Sequence, residues 1–257
     1  MAAVMTLSML LLGCTVNRPA TQQAEPPTNS EQTDSQKRSR IRLQLALGYY
    51  EQRQMPVALN EIKQALQADP DFADAYSVSA LIYMEMGETH LAEENFLRAI
   101  KLAPNNPDMT NNYGWFLCQN GREAQSIAYF ESTLKNKSYQ SPSKALNNAG
   151  VCSLKLKDVV AAERYFVQAF QYDPGNMATS TNLAKIYYDR GDYERARFYI
   201  GRVVKADVLN ADVLWLAIKA ERKLGDRAAE ASLVTQLRRR HPNSSEYASY
   251  QRGAFDE

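Results

Sequence analysis

The residues best suited to chemistry are few. Three cysteines (Cys14, Cys118 and Cys152) and two histidines (His90 and His241) supply every thiol and imidazole of the 257-residue chain. No two cysteines have CxxC spacing, so neither a zinc site nor a dithiol redox centre is indicated. The histidines lie far apart in the chain. No P-loop, GxSxG, HExxH or GxGxxG occurs in a suitable context, and no nucleophile–base pair stands out. A formal net charge of +1 gives no footprint for nucleic acid. The expectation is a chain that binds and does not catalyse, with no metal, no nucleic acid and no small-molecule substrate.

Cys14 has a context of its own. Val4 to Leu12 form an apolar run too short to span a bilayer, which needs about 20 residues. The run fits the h-region of a signal peptide, although no Lys or Arg precedes Cys14. It ends in Leu11-Leu12-Gly13-Cys14, which resembles the bacterial lipobox. That resemblance implies cleavage after residue 13 and a lipid on Cys14. The covalent lipid is the only cofactor expected. Thr15 follows, and in Gram-negative sorting Asp there favours the inner membrane, so Thr implies the periplasmic face of the outer membrane. A multiply acylated cysteine anchors stably where a single chain would not. Residues 14–38 are rich in Pro, Gln, Ser and Thr without apolar periodicity, and read as a flexible polar tether.

The elements beyond the tether repeat. With units beginning at 39, 73, 107, 143, 177 and 211, every step is 34 residues except the third, which is 36. A period of 34 is that of the tetratricopeptide (TPR) helix–turn–helix. Unit position 8 holds Ala46, Ala80, Gly114, Gly150, Ala184 and Ile218. Position 24 holds Ile62, Phe96, Phe130, Phe166, Ile200 and Val234, and position 32 holds Pro70, Pro104, Pro174 and Pro242 in four units. Small residues let paired helices approach closely, the bulky residue fills the groove between neighbouring hairpins, and proline ends the second helix. The fold class is therefore all-α: a right-handed superhelical solenoid of six repeats over 39–244, with a short capping helix in 245–257. The sixth repeat is degenerate, as a terminal repeat can be.

In such a solenoid the first helices line a concave groove, through unit positions 2, 5, 6, 9 and 12–13. Position 6 is Asn112, Asn148 and Asn182 in three consecutive units, and position 5 adds Asn111 and Asn147. An amide ladder can hydrogen-bond the backbone of an extended peptide; equally, the same amides can bond neighbouring repeats. Trp115 and Tyr188 fall on the same groove, as anchors for a partner or as packing between helices. Cys118 and Cys152 sit on adjacent first helices. Their offset within the repeat favours buried free thiols over a disulfide.

The stretch NNYGWFLCQNGR (111–122) with EAQSIAYFESTL (123–134) resembles the PilF/PilW family of type IV pilus biogenesis lipoproteins. Further matches are SYQSP (138–142), ALNNAGVCSLKLKD (145–158), AAERYFVQAFQYDP (161–174) and YDRGDYERARFYIGR (188–202). The resemblance implies a pilotin: an outer-membrane lipoprotein that binds the pilus secretin subunit (PilQ-like), and other pilus assembly proteins, and promotes secretin localisation, multimerisation or stability. Pilus fibre extension and twitching motility would depend on it indirectly. The competing reading is a periplasmic TPR scaffold for cell-wall hydrolases or outer-membrane protein assembly.

Overall fold

The computed structural model describes residues 33–255. Cys14, the lipobox, most of the tether, Asp256 and Glu257 lie outside the described residues. Within them every regular element is an α-helix. Six hairpins follow in chain order: α1 (Asp34–Glu51) with α2 (Met55–Ala68), α3 (Ala73–Glu85) with α4 (Thr89–Leu102), α5 (Pro107–Gln119) with α6 (Glu123–Lys135), α7 (Pro142–Lys155) with α8 (Val159–Tyr172), α9 (Met177–Asp189) with α10 (Tyr193–Lys205), and α11 (Ala211–Leu224) with α12 (Arg227–Arg240). A final helix, α13 (Ser245–Arg252), packs back on α11 and α12. Each helix packs on its hairpin partner, and each second helix on the next first helix. Among the described residues no helix is long and apolar enough to cross a membrane.

Helix ends follow local chemistry. The helices preceding Pro70, Pro104, Pro174 and Pro242 stop at Ala68, Leu102, Tyr172 and Arg240, two residues short of each ring. Proline disfavours helical backbone in the residue before it, which sets that distance. Asp158, Asp192 and Asp226 stand at one unit position in the last three repeats. Each accepts a backbone N–H in the first turn of its helix, from Ala161, Arg195 and Ala229. A cap of this kind contributes about 1 kcal/mol. The first helix begins earlier than the repeat spacing suggests. Thr33 and Gln36 form a reciprocal capping box, so residues 34–38, read as tether, are the first turns of α1.

The core lies along the seams between helices. Phe96, Phe116, Phe130 and Phe166 are its largest fully buried side chains. The residue at unit position 24 sits against its own hairpin as well as the next. A Cβ added to Gly114 would lie 2.9 Å from the Phe130 ring, and one added to Gly150 would lie 2.7 Å from Phe166. Phe166 also packs with Leu183, Ile186 and Tyr187 of the following repeat. In repeats three and four glycine at position 8 is thus matched to phenylalanine at position 24, the ring taking the room a methyl would fill, whereas repeat two packs Ala80 with Phe96. In the degenerate sixth repeat the small residue of position 20 is replaced by Glu230. Its buried carboxylate is held by Arg222 at 2.8 Å and Arg227 at 3.0 Å.

One expectation is overturned. Cys118 and Cys152 are joined as a disulfide, stapling α5 to α7 across the junction of repeats three and four. Their repeat positions differ by two, but that offset matters only if adjacent first helices lie in strict register. The helices instead bring the two Cα atoms to 5.8 Å, within disulfide range. The sulfurs are fully buried in a cluster with Phe130, Leu146 and Tyr165.

Candidate functional site: the concave groove

The amides named from the sequence separate into two sets. Asn111 is fully buried, and its Oδ1 accepts from Asn148 Nδ2 at 3.2 Å. Its Nδ2 donates to Asn112 Oδ1 at 3.4 Å, which also accepts from Lys144 Nζ at 3.5 Å. Asn147 Oδ1 accepts from Thr179 Oγ1 at 3.0 Å. These four amides stitch α5 to α7 and α7 to α9, satisfying polar groups that burial would otherwise penalise. Trp115 is half-buried against the disulfide cluster.

Asn182 and Tyr188 belong to the second set. Asn182 lines two adjoining cavities between α9 and α11, of about 330 and 270 Å³. Tyr188 lines a third of about 410 Å³, walled by residues of α9 and α11 with Tyr193 and Phe255. Lys185, Lys219, Lys223, Trp215 and Phe255 also face these cavities. The lysines went unread although they occupy positions 9 and 13, both groove positions; reading those positions in repeats five and six would have found them. Nothing in the sequence pattern marks Phe255, which reaches the groove only because α13 folds back. Lys219 Nζ lies 5.0 Å from the Tyr188 ring centre and 5.8 Å from that of Trp215. Trp215 stacks on Phe255 at 5.2 Å, and the Arg222 guanidinium lies over the Phe255 ring, 3.9 Å from its centre. A larger cavity, about 540 Å³, opens beside Leu59, Ile62, Leu66 and Tyr83 of repeats one and two.

Two lowered carboxyls belong to links between repeats. Arg122 hydrogen-bonds Glu93 and holds its carboxyl below the usual range, and Arg190 does the same to Glu163. Burial, then the bond to Glu93, pushes the Tyr113 phenol up to about 12. Those two carboxylates, held ionised, are the reverse of what a general acid needs at neutral pH, whereas burial pushes the carboxyls of Asp74 and Glu221 up. Among the described residues no cluster of three His, Cys, Asp or Glu side chains could hold a metal ion. The arrangement offers recognition chemistry: amides, ammonium groups and ring faces along a trough.

Comparison with known proteins agrees with the repeat reading. Tetratricopeptide-repeat models match residues 43–107, 78–141 and 153–221. A curated relative, the type IV pilus assembly protein PilF of Pseudomonas aeruginosa, is 28% identical over 97% of both chains. The crystal structure of PilW, described as a widely conserved type IV pilus biogenesis factor, superposes with a TM-score of 0.75 at 32% identity, covering 83% of this chain and 98% of that one. The Pseudomonas aeruginosa PilF structure superposes with a TM-score of 0.80 at 27% identity, covering 86% of this chain and all of the other.

Proposed function

Because this chain belongs to the PilF/PilW family of type IV pilus TPR proteins, we propose that it is an outer-membrane lipoprotein acting as a pilotin for the pilus secretin. The observation that carries the reading is the extent of the likeness. It runs over 97% of both this chain and the pilus assembly relative. A TPR solenoid works by presenting a curved surface to other proteins. Here that surface would hold the secretin subunit, the lipid on Cys14 would fix the complex to the periplasmic face of the outer membrane, and the pair would remain together while the secretin multimerises. The protein acts by binding; no residue is assigned a catalytic role.

Lipid anchoring has its own test. Cys14→Ala is expected to leave the melting temperature unchanged and to move the protein from the membrane fraction to the soluble periplasm. A Cys14→Ala protein still recovered in the outer membrane would show that something other than the lipid localises it.

A further inference from the structure

We infer that the open N-terminal end of the solenoid, the face of α1 that carries Ile41 and Leu45, lies on the lipid surface of the membrane to which the protein is anchored. This depends on the proposed lipid anchor at Cys14 and adds how the solenoid stands on the bilayer.

Three observations support it. The first is an apolar stripe at positions that every other repeat covers. Unit positions 3, 7 and 10 of a first helix pack on the preceding repeat. In repeats two to six every residue there is buried; in the sixth they are Val213, Ala217 and Ala220, each 3% exposed or less. The same positions of repeat one hold Ile41, Leu45 and Gly48. Ile41 is 58% exposed and Leu45 43%, and a Cβ added to Gly48 would meet nothing within 4 Å. The terminal face of a solenoid is ordinarily polar. At the far end α13 packs on α11 and α12 and covers the last repeat, whereas among the described residues no element precedes α1 to cover this face.

The second is where the anchor holds the molecule. Residues 15–32 join the lipidated Cys14 of the proposed reading to the capping box at Thr33, and a polar chain of that length has a root-mean-square span of about 25 Å. The start of α1 is therefore the part of the solenoid held nearest the bilayer. Val16 is the one large apolar side chain among the joining residues, so they bring little to cover the stripe. Head-to-tail stacking of a second copy on α1 is closed off as well, because α13 occupies the end which that copy would present.

The third is shape. α1 has 18 residues, about 27 Å of helix, packed on α2 and α3 with Ala46 buried and the stripe facing outward. A helix so placed meets a flat surface along its length, and apolar side chains on an interfacial helix sit about 5–10 Å into the boundary between headgroups and acyl chains. Lys37 and Arg38, exposed in the turn before Ile41, can lay their stems on lipid and keep their charges among the headgroups. Charge itself adds little. Arg42 is paired with Glu61, Arg40 faces Asp74, and Asp34 and Glu51 share the helix with Lys37 and Arg38. The contact is therefore apolar. Even a single acyl chain holds a protein to a bilayer only marginally, so two side chains orient the molecule and leave the anchoring to the lipid. The solenoid stands on its end, and its concave groove stays clear of the bilayer.

The test uses the full-length lipidated protein on vesicles of phosphatidylethanolamine and phosphatidylglycerol, in which a fraction of the lipid carries a nitroxide quencher high on the acyl chain. A fluorophore is attached at Leu45→Cys or, as control, at Val160→Cys, on a side chain 77% exposed in α8. Cys118 and Cys152 are bonded to each other and Cys14 is acylated, so the introduced thiol is the one that reacts. Quenching at position 45 should exceed that at position 160 by about threefold or more. It should persist as salt rises, since an apolar contact is not screened. Ile41→Glu should bring position 45 down to the control without changing the melting temperature or the flotation of the protein with the vesicles. Equal quenching at the two positions in protein that floats with the vesicles would overturn the docking and leave the anchor standing. Protein that does not float with them would remove the anchor and the docking together. A probe at position 45 shielded without vesicles, increasingly so with protein concentration, would give the stripe to a second copy; shielding only on addition of the secretin subunit would give it to that partner. Either would overturn the inference.

Discussion

Phe166→Ala is expected to lower the free energy of unfolding by about 3–5 kcal/mol, the range for truncating a buried phenylalanine. The ring is fully buried and stands over Gly150 in its own repeat, while Leu183, Ile186 and Tyr187 of the next repeat pack around it. Glycine has no side chain to relax into the void, so the cavity stays open. The lesion falls at the seam of repeats four and five. In a solenoid whose stability is a sum over neighbours, weakening one central interface should also broaden the transition. Denaturation followed by circular dichroism reads both effects. Val160→Ala, on a side chain 77% exposed, serves as the control and should stay within about 0.5 kcal/mol. A loss below about 1 kcal/mol for Phe166→Ala would mean that the seam is not packed as described.

Reduction of the Cys118–Cys152 disulfide is the second large effect. The bond closes a loop over a sequence separation of 34, for which chain entropy alone gives about 4 kcal/mol. For a domain of this size that corresponds to a fall of roughly 10 °C in melting temperature. Melting curves with and without reductant test it, alongside the double variant Cys118→Ser/Cys152→Ser. The oxidised wild type should melt highest, with the reduced wild type and the double variant close together and insensitive to further reductant. A wild type unmoved by reductant would show that the thiols are not joined. The staple sits where the two extra residues, 141 and 142, interrupt the regular spacing, so it restrains the junction at which repeat-to-repeat geometry is least constrained by periodicity.

The architecture was legible because a solenoid is periodic. Small residues, phenylalanines and prolines recur at 34-residue intervals for steric reasons, and each proline does end a helix where expected. What escaped depends on relations that periodicity does not encode. The pairing of Cys118 with Cys152 depends on the actual approach of neighbouring helices, which repeat numbering approximates only to a residue or two. The early start of α1 depends on a local capping box at Thr33 and Gln36, invisible to a search for apolar spacing. In the groove, Asn111, Asn112, Asn147, Asn148 and Asn182 look equivalent in sequence. The structure separates them, because the first four find partners on adjoining helices or side chains whereas Asn182 faces a cavity between α9 and α11. Phe255 enters the groove through the fold-back of α13, a tertiary event with no short-range signature.

The proposed pilotin role stands or falls on the state of the secretin in the cell. Unboiled outer-membrane fractions should be run on a denaturing gel and probed for the secretin subunit, from a deletion strain and from the same strain carrying either the native protein or Cys14→Ala. Heat-resistant multimers lost on deletion, and restored to the outer membrane by the native protein alone, are the expected result. Multimers present in the outer membrane of every strain would contradict it.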